Sequence, residues 1–191
     1  MRRCQLVAVL AALASVTLAP AEAAASTKPP LKRPLIILTV NGKPKRVSEA
    51  QLQKLVFLLS PRALRTATIT IRLNGRTHSG TAASYRLFLI QTRQAVAANH
   101  ARDMLLAVES YHADNTGVST DIDRNSKTSG YAGMTLSLLR SHYDHTLSPS
   151  IEAVRFASSN SYCLEATVKG QTVRKNGPNA SIEVGRCVKR R

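Results

Sequence analysis

Two cysteines, one histidine cluster and a concentration of lysine and arginine are the residues of this chain whose types and spacing reach beyond ordinary packing. Cys4 lies in the charged start of the chain, which leaves Cys163 and Cys187. If the chain is exported, this even pair of thiols is expected to oxidise to a disulfide, and two thiols alone make a poor metal site. Closing a loop of about 25 residues would constrain the unfolded chain by about 3 kcal/mol. His142-Tyr143-Asp144-His145 is the single cluster among the five histidines. An i, i+3 His pair beside an Asp suits a metal if it shares a helical face; the alternative is surface polar residues next to a turn. Asp121, Asp123 and Asn125 alternate as in a calcium loop, without the glycine and the distant bidentate glutamate that complete one.

No Ser-His-Asp, Cys-His or paired-carboxylate arrangement follows from the spacing, and there is no Gly-rich phosphate loop, HExxH or CxxC. The expectation is a non-enzymatic chain with no cofactor and no metal. Charge is the feature with functional content. Between Ala25 and His100 stand 13 Lys or Arg against the single acid Glu49, whereas from Ala101 to Arg191 the count is 12 against 9. Lys43, Lys45, Arg46, Arg62, Arg65, Arg72 and Arg76 are the candidate anion-binding residues of the basic half. They would attract DNA, acidic envelope glycans or anionic lipid headgroups at low ionic strength. No Trp and 4% aromatics argue against a carbohydrate or nucleotide platform built on stacked rings, and phosphate-type binding by these residues would lack sequence specificity.

The elements that must position these residues are legible in part. The 191 residues, 43% of them hydrophobic with a net charge of +16, suffice for a buried core and exclude a large multidomain enzyme. Arg2 and Arg3 precede an uncharged run from Leu6 to Leu18 and then Ala19-Pro20-Ala21-Glu22-Ala23-Ala24, the pattern of a secretory signal peptide over residues 1–24. Residues 25–34, with Pro29, Pro30 and Pro34 among Lys and Thr, read as an extended basic leader. Export to the periplasm, the cell surface or the medium follows.

Leu35 to Val40 is a β-branched run stopped by Asn41-Gly42, a hairpin dipeptide. Ser48-Glu49-Ala50-Gln51 fits a capping box, so a helix starts at Glu49, buries Leu52, Leu55, Val56 and Leu59, and stops at Pro61. Thr66 to Leu73 alternates with period two and ends on Asn74-Gly75. The likeness of the two stretches around Asn41-Gly42 and Asn74-Gly75 is either a duplication or shared turn chemistry. Residues 35–80 thus read as a small β-α-β unit, antiparallel because its helix is short.

Ala82 to Ala113 contains neither Gly nor Pro, and Leu87, Ile90, Gln94, Ala97, Ala101, Met104, Val108 and Tyr111 fall three and four apart. One long helix is predicted, with enough length for a protein partner to dock on it. A polar loop over residues 116–133, a short helix from Met134 to Arg140, and strands at Ile151–Phe156, Ser161–Val168 and Ser181–Val188 follow. The fold class is α+β: a β-α-β unit, then a long helix packed on an antiparallel sheet in residues 82–191.

Three words in that order, Phe88-Leu89-Ile90-Gln91-Thr92-Arg93, Ala107-Val108-Glu109-Ser110-Tyr111-His112-Ala113-Asp114-Asn115 and Ser161-Tyr162-Cys163-Leu164-Glu165-Ala166, resemble the globular head of the type IV pilin and pseudopilin family. The resemblance covers about residues 88–187. It implies a pilin-like head and a structural or surface role. A pilin polymerises through an apolar half-helix following a Gly cleavage site, and no such tract precedes Phe88, so filament assembly by that route is not implied. The basic binding module for anionic polymers is the alternative function.

Overall fold

The computed structural model describes residues 34–116, 122 and 129–188. The proposed signal peptide, the leader up to Arg33 and the Asp121, Asp123, Asn125 loop lie outside them. The described chain is α+β and divides into two compact units within one long helix, between Leu89 and Ile90.

The first unit opens with β1 (Leu35–Val40) and β2 (Lys43–Val47), followed by α1 (Glu49–Leu58), α2 (Pro61–Thr66), β3 (Thr68–Leu73) and β4 (Arg76–Thr81). The strands form one antiparallel sheet in the order β2-β1-β3-β4. The expected β-α-β element is its centre, since β1 pairs with β3 antiparallel. Each Asn-Gly dipeptide turns the chain into a further edge strand. Asn41 and Asn74 take φ of 50°, and Gly42 and Gly75 take 75° and 77°, the left-handed values a two-residue hairpin turn needs. Ser48 Oγ accepts from the Gln51 N–H at 3.2 Å while Gln51 Oε1 accepts from the Ser48 N–H at 3.0 Å, closing the capping box of α1. Pro61 does not merely end α1. It is the first residue of α2, where its missing N–H costs nothing and Ser60 caps the turn.

The likeness of the two stretches extends well beyond the turns. At a constant shift of 33 residues, Ile36 and Leu38 correspond to Ile69 and Ile71, Ser48 to Thr81, and Leu52 and Val56 to Tyr85 and Leu89, all of the apolar ones buried. Thr81 Oγ1 accepts from the Ser84 N–H at 3.1 Å, as Ser48 does from Gln51. The pairing Ile36↔Ile71, Ile37↔Thr70, Leu38↔Ile69 is symmetric about its central pair. Two ββα halves therefore share one plan, with α2 as an addition to the first. Their common core is made by these residues with Val47, Leu64, Ala67 and Ala82.

The long helix, α3, spans Ala82–Asn115 without a break. Leu87 departs from the expected inward stripe and is 55% exposed, because the first turns bury Ala82, Tyr85 and Leu89 instead. From Ala97 on the stripe holds: Ala97, Ala101, Met104, Val108 and Tyr111 are all fully buried.

The second unit continues with α4 (Leu136–His142), β5 (Glu152–Ser158), β6 (Ser161–Val168), β7 (Gln171–Asn176) and β8 (Ile182–Val184), the strands forming an antiparallel meander in chain order. Sequence reading missed β7, which turns back from β6 through Lys169 and Gly170, both at positive φ. The predicted last strand shrinks to three residues, and Cys187 follows it. Ala97 and Ala101 pack with Ala166 and Val173; Met104, Val108 and Tyr111 pack with Leu139, Leu147, Tyr162 and Leu164. Alanine on the helix and alanine on β6 let the backbones approach closely at the middle of this layer.

Candidate functional site

Strand register decides where the basic residues of the first unit stand. Lys45 pairs with Leu38 and Lys43 with Val40, and Arg76 pairs with Leu73, so these three share the sheet face that carries the helices. Arg46 pairs with Ile37, and Arg72 with Leu35, which places both on the opposite, open face. Arg62 and Arg65 lie on α2, whose Leu64 is in the helix-side core. All seven are exposed, and none enters an ion pair among the described residues. The structure does not gather them into one site. It brings together Arg46 and Arg72, separated by β1 and one two-residue step, about 12 Å between Cα atoms on ordinary strand spacing. An open groove of about 440 Å³, bordered by Leu35, Arg46, Ser48 and Gln51, lies at the Arg46 end of the sheet.

Cys163 and Cys187 form the expected disulfide, with Cα atoms 6.0 Å apart. It fastens the segment after β8 to β6. Around it stands a group that sequence reading did not single out. Glu165, 3% exposed, accepts from the Cys187 N–H at 2.6 Å through Oε1 and from Arg155 Nε at 2.6 Å through Oε2. Arg174 donates to the Arg186 carbonyl at 2.8 Å. A lone glutamate inside the apolar run Tyr162–Ala166 was the available signal, since a buried carboxylate requires donors.

Two further buried carboxylates hold the second unit together. Glu152 accepts from the Ser148 N–H and stands 3.0 Å from His100 Nδ1, joining β5 to α3. Asp114, at the end of α3, accepts from the Ile122 N–H and from the Tyr143 hydroxyl. These side chains are spent on internal donors.

His142 and His145 are exposed, and Asp144 accepts from the Thr146 N–H at 2.9 Å and its hydroxyl at 2.6 Å. Those two bonds hold the Asp144 carboxyl below the usual carboxylate range. Among the described residues no group of three or more His, Cys, Asp or Glu is placed to hold a metal. Nor is any described helix long and apolar enough to cross a membrane. Tyr162 is fully buried and its hydroxyl has no hydrogen-bond partner among the described residues. Burial first, then the charges of Glu109 and Tyr131, push its phenol well above the ordinary value.

No protein-family model, curated protein or solved structure matches this chain.

Proposed function

We propose that the chain is an exported, non-enzymatic structural or surface protein whose second unit is a pilin-like head. The observation that carries this reading is the helix from Ala97 to Tyr111 lying on the β5–β8 meander, with the C-terminal end fastened to β6 by the Cys163–Cys187 disulfide. Helix, polar loop, antiparallel sheet and a disulfide near the end is the order the pilin resemblance implies. Ahead of the helix stands a ββααββ unit where a pilin has its apolar half-helix. The proposal is accordingly a head without the filament. A disulfide fits an oxidising compartment outside the cytosol.

To test it, the full chain and a variant lacking residues 1–24 are expressed in a bacterium and labelled with a membrane-impermeant biotin reagent. The full chain is expected among labelled envelope or extracellular proteins and the shortened one in the cytosol. Recovery of both, unlabelled, from the cytosol would refute the reading.

One observation favours a second role for the first unit, as a module that binds anionic polymers. Its described residues hold nine Lys or Arg against Glu49 alone, and the seven named above are exposed without an ion pair among the described residues. Unneutralised cations on a folded surface raise the local concentration of polyanions.

A further inference from the structure

The 33-residue correspondence between the two ββα halves separates what the first sheet needs from what it presents. On the two central strands the positions that face the helices stay apolar in both halves, as Ile36/Ile69 and Leu38/Ile71 show. Positions on the open face do not correspond in character. Leu35 and Ile37 in the first half are matched by Thr68 and Thr70 in the second, and Arg46 by Ser79. The face is thereby divided. One side is an aliphatic strip on β1; the other, on β3 and β4, is a field of hydroxyls in which Thr70 Oγ1 and Ser79 Oγ lie 3.3 Å apart. Arg46 and Arg72 stand on either side of the aliphatic strip. Among the described residues of the first unit no carboxylate shares the face, because their single acid, Glu49, belongs to α1.

We propose that this open face binds an acidic polysaccharide. The proposal rests on the reading of the first unit as a module for anionic polymers and names its surface and ligand class. Sugar rings offer an apolar C–H face to Leu35 and Ile37 and hydroxyls at their rims to Thr70 and Ser79. Carboxylate or sulfate groups along the polymer meet the guanidinium forks of Arg46 and Arg72, which bind such planar or multi-oxygen anions in bidentate fashion. Nucleic acid fits less well: none of the strand residues on this face is aromatic, so no ring of theirs is there to stack a base. A lipid surface would require protruding apolar side chains, yet Leu35 and Ile37 are half-buried mid-sheet while both arginines are exposed. A second copy packed face to face would bring like charges together with no acid between them.

The test uses the full chain and two double variants that each remove two charges: Arg46→Gln with Arg72→Gln on the open face, and Arg62→Gln with Arg65→Gln on α2. Binding to immobilised heparin and to polygalacturonate is measured over a salt series, with neutral dextran and a short DNA duplex alongside. Both acidic glycans are expected to bind with affinity that falls as salt rises, dextran is expected not to, and the duplex is expected to bind more weakly. The open-face variant should lose about tenfold in affinity, the scale of two lost charge-assisted contacts screened at a surface, and the α2 variant about threefold or less. Equal losses from the two variants would overturn the assignment to the open face and leave the binding-module reading standing. Duplex binding as tight as glycan binding would overturn the ligand class. Absence of binding to every polyanion at low salt would overturn both.

Discussion

Glu165 is the residue on which the C-terminal end of the molecule converges. Its two oxygens serve different partners, one the Arg155 side chain and the other the Cys187 backbone, so neither can be released without leaving a buried acceptor or donor unpaired. Glu165→Gln keeps the shape but sets an amide NH₂ against one of the two donors. A loss of about 2 kcal/mol is expected in urea unfolding, with Arg155, itself 54% exposed, accounting for the smaller part because water screens it. Tyr162 predicts the opposite sign. Its hydroxyl is buried without a described partner, so Tyr162→Phe should leave stability unchanged or raise it by about 1 kcal/mol. A phenol whose folded pKa is raised favours the native state only while neutral. Stability should therefore be constant below the ordinary tyrosine value, about 10, and fall as pH rises beyond it, and Tyr162→Phe should flatten that fall. Asp144 works the other way. Its lowered carboxyl stabilises the fold above the unfolded value, and that contribution disappears as pH drops through the folded one. Thr146→Val should raise the Asp144 pKa in an NMR titration; an unchanged midpoint would show that the hydroxyl does not set it.

At the scale of elements, α3 makes the sharpest demand. Ala97 and Ala101 have no exposed surface where the helix meets Ala166 and Val173, so there is no room for a larger side chain. Ala101→Leu is expected to cost about 1–3 kcal/mol by overpacking, read from the urea midpoint, whereas Leu106→Ala on the exposed side should be close to neutral. The helix and β3 were legible in the sequence because each buries one face and carries the matching period, and β1 because it is an apolar run ended by Asn41-Gly42. Edge strands β2 and β4 were not. Lys-Pro-Lys-Arg-Val and Arg-Thr-His-Ser-Gly-Thr carry polar side chains to both faces, leaving no alternation to find. Strand β7 was hidden for a related reason: its buried positions are Val173 and Lys175, and the Lys175 ammonium is satisfied by the carbonyls of Pro178 and Ala180. Register cannot be read from composition either. The seven basic residues formed one group by sequence, yet the alternation of Lys45 and Arg46 along β2 sends neighbours to opposite faces.

The chain carries a basic first unit and a second, helix-and-sheet unit fastened by a disulfide. Replacing both Cys163 and Cys187 by Ser should lower stability by about 3 kcal/mol, the chain-entropy effect of freeing a loop of this length, and should loosen the segment after β8 before the rest. Limited proteolysis of the reduced and oxidised proteins would show whether cleavage begins there. The central claim, an exported protein whose head is completed by that bridge, is tested most directly by mass spectrometry of the exported protein under non-reducing conditions. The account predicts a mature N-terminus within the alanine-rich run that ends near Ala24 and a single peptide pair linked through Cys163 and Cys187. A chain that retains Met1 and carries both thiols free would contradict it.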